Sequence, residues 1–162
     1  MEMRLKLMAI CTVVVVVQLL NLSAALPIVD GWTVLTPAAD SRLIHVSSTL
    51  GDDTTGDGSP ARPYRTLARA KQEVRYIVPG SGYPDWVLLR RGDTFSENLE
   101  GWGFSGRSED EPFVITSYGP EELPRPIVTP PNAELTAINA STSAVNHTAY
   151  VGLHLKAIAT GS

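Results

Sequence analysis

The sequence predicts a mainly β domain with one helix, and three observations carry that prediction. Its 162 residues include 13 Gly and 12 Pro, enough punctuation to divide the chain into short elements. Short apolar runs bounded by those punctuators recur through the second half of the chain. Only one stretch has the periodicity of a buried helix face. Strands recurring every roughly 15 to 30 residues suit a β-sandwich and a stacked solenoid equally, so periodicity leaves both open.

The first segment reads as an address. Arg4 and Lys6 precede Leu7–Leu20, an almost wholly apolar run, and Ser23-Ala24-Ala25 follows with small residues. That is the layout of a signal peptide, so residues 1–25 are expected to be cleaved after Ala25, leaving a secreted, periplasmic or extracellular protein. The apolar run is shorter than the roughly 20 residues of a bilayer span, so no membrane association is expected after cleavage. Cys11, the only cysteine, lies in this segment behind Ile10, which is not the small residue that lipid attachment requires. Cleavage leaves 11 basic and 16 acidic residues and no thiol. Disulfides, thiol catalysis and cysteine-rich zinc sites are then excluded, and the acidic balance opposes nucleic-acid binding.

Residues 26–42 read as an extended lead-in, with Pro27 and Pro37 opposing helix, and residues 43–162 as the folded unit. Leu43–Ser47 is a strand, and Gly51–Pro60, made of Gly, Asp, Thr, Ser and Pro, is a loop. Thr66 caps a helix whose Leu67, Ala70, Val74 and Ile77 fall within a stripe of about 80°, stopped by Pro79-Gly80. Trp86–Arg90, Pro112–Ser117 and Pro126–Thr129 read as strands, closed by Gly92-Asp93, Gly119-Pro120 and Pro130-Pro131. Ala149–Ala157 is expected to be one alternating strand. Val151, Leu153, Leu155 and Ala157 would share one face, and Tyr150, His154 and Lys156 the other.

Three stretches in this order decide between sandwich and solenoid. Ile44-His45-Val46-Ser47 runs into the Gly51–Pro60 loop; Pro63-Tyr64-Arg65-Thr66-Leu67-Ala68-Arg69-Ala70 follows, and then Val87-Leu88-Leu89-Arg90-Arg91-Gly92-Asp93-Thr94-Phe95. Together they resemble the start of secreted right-handed parallel β-helix proteins of the pectate-lyase-like superfamily. Phe113–Gly119 with Arg125–Val128 is similar to the following coil, and Tyr150–Leu155 to the next. The resemblance implies an N-terminal capping helix followed by two or three coils of a longer protein, so a truncated product is expected. An uncapped last coil would favour self-association. It also implies action of the complete protein on an extracellular polysaccharide, as a lyase or glycoside hydrolase, with this chain inactive by itself. The alternatives are a non-catalytic glycan-binding or structural surface module, and a relic reading frame with no selected function.

Candidate chemistry is sparse. Asp52, Asp53 and Asp57 offer clustered carboxylates to calcium, but Tyr64 stands where an EF-hand loop needs its bidentate Glu, so the reading is a turn rich in side-chain caps. His154 or Lys156 is the candidate base for removing the proton α to a uronate carboxylate; the competing reading is a wet strand face. Trp102 and Tyr118, with Trp86 and Phe104, are candidates for stacking on sugars, although at least two of these rings are expected to fill the core. Arg91-Gly92-Asp93 spells an adhesion tripeptide where a turn is expected, and the turn explains it more simply. Asn139-Ala140-Ser141 and Asn146-His147-Thr148 are glycosylation sequons. No phosphate-binding Gly loop, HExxH or GxSxG is present.

Overall fold

A computed structural model describes residues 28–30, 32–78, 81–100, 102–132, 138–139 and 145–158. The expected leader, 1–25, and the expected helix stop, 79–80, lie outside the described residues. The fold is mainly β, with parallel sheets and one short helix.

The lead-in forms a small antiparallel hairpin, β1 (Ile28–Val29) and β2 (Trp32–Thr33). Next come β3 (Leu43–Val46), α1 (Leu67–Glu73) and a second antiparallel pair, β4 (Tyr76–Val78) with β5 (Ser81–Gly82). The chain then makes successive passes. The first holds β6 (Trp86–Arg90), β7 (Thr94–Phe95) and β8 (Leu99–Glu100). The second holds β9 (Phe113–Tyr118), β10 (Ile127–Val128) and β11 (Ile138–Asn139), and the third β12 (Thr148–Tyr150) and β13 (His154–Leu155). Corresponding strands of successive passes pair in parallel, giving sheets ordered β12-β9-β6-β3, β13-β10-β7 and β11-β8. This is the opposite of the antiparallel hairpins from which a sandwich is built.

Register explains the core. Ile44 pairs with Val87, Val87 with Ile115 and Ile115 with Tyr150, so like side chains stack inward from pass to pass. Val46 and Leu89 form a second inward row, while Phe95 and Val128 pair across β7 and β10. Leu99, Trp102 and Phe113 complete the same buried cluster. Strands of two residues, such as β7 and β10, carry no periodic signal of their own. They are held because each lies against a like-directed strand in the neighbouring pass.

The free edge of β3 is covered by the acidic loop. His45 N donates to Gly58 O (2.8 Å), Tyr64 N to His45 O (3.0 Å) and Ser47 N to Tyr64 O (2.8 Å). Gly58 has φ +77°, the left-handed conformation that glycine adopts without penalty. Leu67 and Ala70 of α1 then bury in the cluster that holds Ile44 and Val46.

The structure corrects two sequence expectations. The helix ends at Glu73, with Val74 already extended, and Ile77 lies in β4 rather than on the helix face. The cause is Asp85: its carboxylate accepts from Arg75 N (3.0 Å) and pairs with the Arg75 guanidinium, which stacks on Tyr83 at 4.0 Å. An amide engaged there cannot continue the helical ladder. At the other end the expectation holds, since Thr66 accepts from Arg69 N (3.0 Å) and the Glu97 carboxylate takes the Leu67 and Ala68 N–H groups.

The expected strand from Ala149 to Ala157 is also broken. Gly152 takes φ +69°, and the chain turns there from β12 into β13, which belongs to a different sheet. Tyr150 packs toward the core while His154 and Lys156 are exposed, so these three residues do not share a face.

Candidate functional site

Alternation along β3, β6 and β9 turns His45, Leu88, Arg90, Thr116 and Tyr118 away from the core. Parallel register aligns His45 with Leu88 and Leu88 with Thr116, and sets Arg90 beside Tyr118. Three neighbouring strands thus contribute to one outer face. Lower on that face, Trp86 and Val114 are buried beside Thr33 and Leu35 of the lead-in, around a cavity of about 160 Å³.

The upper part of the face is polar and fixed. The His45 and Tyr118 rings meet edge to face, with centroids 4.9 Å apart. His45 Nδ1 lies 3.1 Å from Gly58 O; that carbonyl can only accept, so Nδ1 carries the proton. Arg90 Nη1 donates to Asp93 Oδ1 at 3.1 Å. Asp93, only 2% exposed, also accepts from Ser47 Oγ (2.6 Å) and Thr49 Oγ1 (2.8 Å). Burial pushes the Tyr118 phenol above its ordinary pKa; Arg90 opposes that shift and Asp93 reinforces it. The phenol therefore stays protonated near neutral pH and offers a hydroxyl beside a guanidinium and an imidazole. Such a set suits recognition of a hydroxyl-rich ligand.

The sequence candidates are distributed differently. Tyr118 stands on this face, but Trp102 is 2% exposed, with its ring at right angles to Phe104 (5.9 Å) and tilted on Phe113 (6.5 Å). A sugar cannot stack on a ring enclosed by the core, so Trp102 drops out as a stacking candidate and, with the buried Trp86, is one of the rings expected to fill the core. His154 and Lys156 project from another sheet. Their main chains pair with Pro126 O and Val128 O (both 2.9 Å), and their side chains have no hydrogen-bond partner among the described residues. Tyr150, expected beside them, has a buried hydroxyl without a partner among the described residues, and burial pushes that phenol up as well.

The aspartates of the acidic loop are each committed locally. Asp52 Oδ1 accepts from Thr54 N (2.7 Å) and Thr55 N (2.8 Å). Asp53 accepts from Arg65 N (2.7 Å), Thr66 N (3.1 Å) and Thr66 Oγ1 (2.7 Å), which ties the loop to the start of α1. Asp57 accepts from Ser59 N (3.0 Å) and pairs with Arg62. Among the described residues no three His, Cys, Asp or Glu side chains converge as a metal site.

The Ser59 hydroxyl and N–H, followed by Arg62, hold the Asp57 carboxyl down at about 2, below its ordinary 3.8. Because the folded pKa is the lower one, the contribution of Asp57 is present above 3.8 and lost as pH falls through 2. A carboxyl NMR titration is expected to show a midpoint near 2 for Asp57; an ordinary midpoint would mean that these contacts do not persist in solution.

Arg91-Gly92-Asp93 forms the turn after β6, with Gly92 at φ +84°. The Asp93 carboxylate faces inward, as the simpler reading of this tripeptide requires. A cavity of about 370 Å³ lies beside the cap, lined by Arg42, Leu43, Asp57, Gly58, Tyr64 and Glu73. Its acids are already paired, Asp57 with Arg62 and Glu73 with Arg69. Sequence reasoning missed His45, Arg90 and Asp93. For His45 and Arg90 the one available signal was the alternation of β3 and β6, which marks outward positions but not which of them meet; Asp93, in the turn after β6 and facing inward, had none.

No family model matches the chain, and no curated protein matches it. Two solved structures of the GH136 lacto-N-biosidase from Eubacterium ramulus are similar in part. The native protein aligns with TM-score 0.38 and 26% identity, covering 56% of this chain and 13% of that one. The selenomethionine derivative aligns with TM-score 0.46 and 20% identity, covering 75% of this chain and 21% of that one. The chain therefore spans about a fifth or less of their length.

Proposed function

We propose that the chain is exported and forms the N-terminal cap and opening coils of a right-handed parallel β-helix protein, with an extracellular polysaccharide bound on the outer face of its four-stranded sheet. One observation carries this reading: in-register parallel passes bring His45, Arg90 and Tyr118 together outside the core. The resemblance of residues 43–157 to the pectate-lyase-like superfamily supports it, and so does the way the loop and α1 cover the edge of β3. Residues 26–42 are then the lead-in and 43–162 the N-terminal cap and first coils. The side of β12 and β13 left unpaired among the described residues, with Val151 and Leu155 exposed, is where this reading places self-association.

Within this reading the chain binds and does not turn over. The candidate bases His154 and Lys156 lie with the β13-β10-β7 sheet, away from this face, and no side chain among the described residues orients either. Activity of the complete protein as a polysaccharide lyase or glycoside hydrolase belongs to the same proposal.

The test is calorimetric titration of the mature protein against a panel of soluble plant and microbial polysaccharides, with product release assayed in parallel. At least one is expected to bind without release of sugars. Tyr118→Ala is expected to weaken that binding about tenfold, equivalent to about 1.4 kcal/mol of aromatic contact. Equal affinity in the variant, or no binding across the panel, would sink the proposed face and favour a structural spacer.

A further inference from the structure

We infer that Asn146 is a glycan attachment site, used when the chain is exported through a compartment that glycosylates proteins. The inference rests on the export reading above and adds a covalent modification to it. Asn146-His147-Thr148 satisfies Asn-x-Thr with no proline at the middle position. In the fold Asn146 is exposed, two residues before β12. Its backbone is fixed on both sides: Asn146 N donates to Ser105 Oγ (3.2 Å), and Asn146 O accepts from Gly106 N (3.1 Å). Its side-chain amide has no hydrogen-bond partner among the described residues. A glycan there displaces no contact among the described residues, and the fixed backbone leaves it facing solvent.

The donor would be an oligosaccharide carried on a lipid pyrophosphate. Asn146 Nδ2 attacks the anomeric carbon. The new C–N bond replaces the C–O bond to the pyrophosphate, the lipid pyrophosphate leaves, and the amide loses one proton. Timing follows from Thr148. Its hydroxyl, which the transferase must read, donates to Phe104 O (2.8 Å) in the fold. Attachment therefore precedes the docking of β12.

Position makes the modification compatible with ligand binding. Thr148 pairs with Phe113 at the start of β9, whereas Tyr118 is at its end. Five residues of strand separate the two levels by about 16 Å. A glycan on Asn146 would leave His45, Arg90 and Tyr118 open.

The test is expression of the full chain in a glycosylating eukaryotic host, once with its own first 25 residues and once with an established leader in their place. Secreted protein is treated with peptide N-glycosidase, which leaves Asp where a glycosylated Asn stood, and the peptide spanning residue 146 is read by mass spectrometry. Conversion at 146 is expected; it should persist in Asn139→Gln and be abolished in Asn146→Gln. Asn146→Gln is expected to keep the wild-type circular dichroism, since no contact is removed. Unmodified Asn146 in folded protein secreted with the established leader would overturn the inference. Conversion with that leader, alongside failure of the native leader to export, would uphold the site and remove the export reading alone.

Discussion

Asp85→Ala is expected to destabilise the domain by about 3–5 kcal/mol, the cost of stripping one partner from a buried ion pair. Asp85 is fully buried, and its carboxylate takes three separate loads. It accepts from Arg42 N (3.1 Å) ahead of β3, from Arg75 N (3.0 Å) just beyond α1, and from the Arg75 guanidinium. One side chain thus ties the lead-in, the end of the helix and the entry to β6. Removing it leaves two main-chain donors without their acceptor and the Arg75 guanidinium with Asp40 as its remaining partner among the described residues. A fall in melting temperature of about 10 °C or more is expected by circular dichroism. Arg75→Ala and the double variant complete a cycle in which the two losses should overlap strongly. Independent, additive losses would show that the pair does not act as one unit.

Asp93→Ala is expected to cost about 3 kcal/mol and to weaken ligand binding as well. Its carboxylate gathers Ser47, Thr49 and Arg90, and so clamps the turn after β3 to the turn after β6. Without it the fully buried Ser47 loses the acceptor for its hydroxyl, and the Arg90 guanidinium loses its position beside Tyr118. Thermal melts read the first effect and polysaccharide titration the second. Asp93→Asn should recover part of the stability while leaving Arg90 unpaired. Full stability with undiminished binding in Asp93→Ala would remove this residue from both roles. Because the carboxylate is committed inward, the folded protein is not expected to support adhesion through Arg91-Gly92-Asp93.

Much of the fold was legible wherever a run of neighbours carried the signal. The strands at Leu43–Val46, Trp86–Arg90 and Phe113–Tyr118 were marked by branched and aromatic residues between Gly and Pro. Thr66 announced the helix start, and the acidic loop read correctly as turns capped by its own aspartates. The helix end was not legible: nothing near Arg75 in the chain says that Asp85 will take its amide. Nor was the break at Gly152, where an alternating pattern ran on through a left-handed turn. Of the candidate site only Tyr118 was named in advance. Which of the four aromatic rings would be buried was not legible, because a ring's burial depends on which residues close around it, here Phe104 and Phe113 around Trp102.

By itself the sequence determined that this is a turn-rich, mainly β chain with one short helix. Those properties follow from backbone preferences and from residues close together in the chain. Parallel pairing of the strands was implied only by the resemblance, and the tertiary structure alone decided which of their outward residues meet and which carboxylates are buried as ties. Those outcomes depend on partners far apart in sequence: Asp85 lies 43 residues from Arg42, and Asp93 lies 46 from Ser47. Stacked passes bring them within hydrogen-bond distance, and low local polarity then makes each such pairing strong and its absence costly.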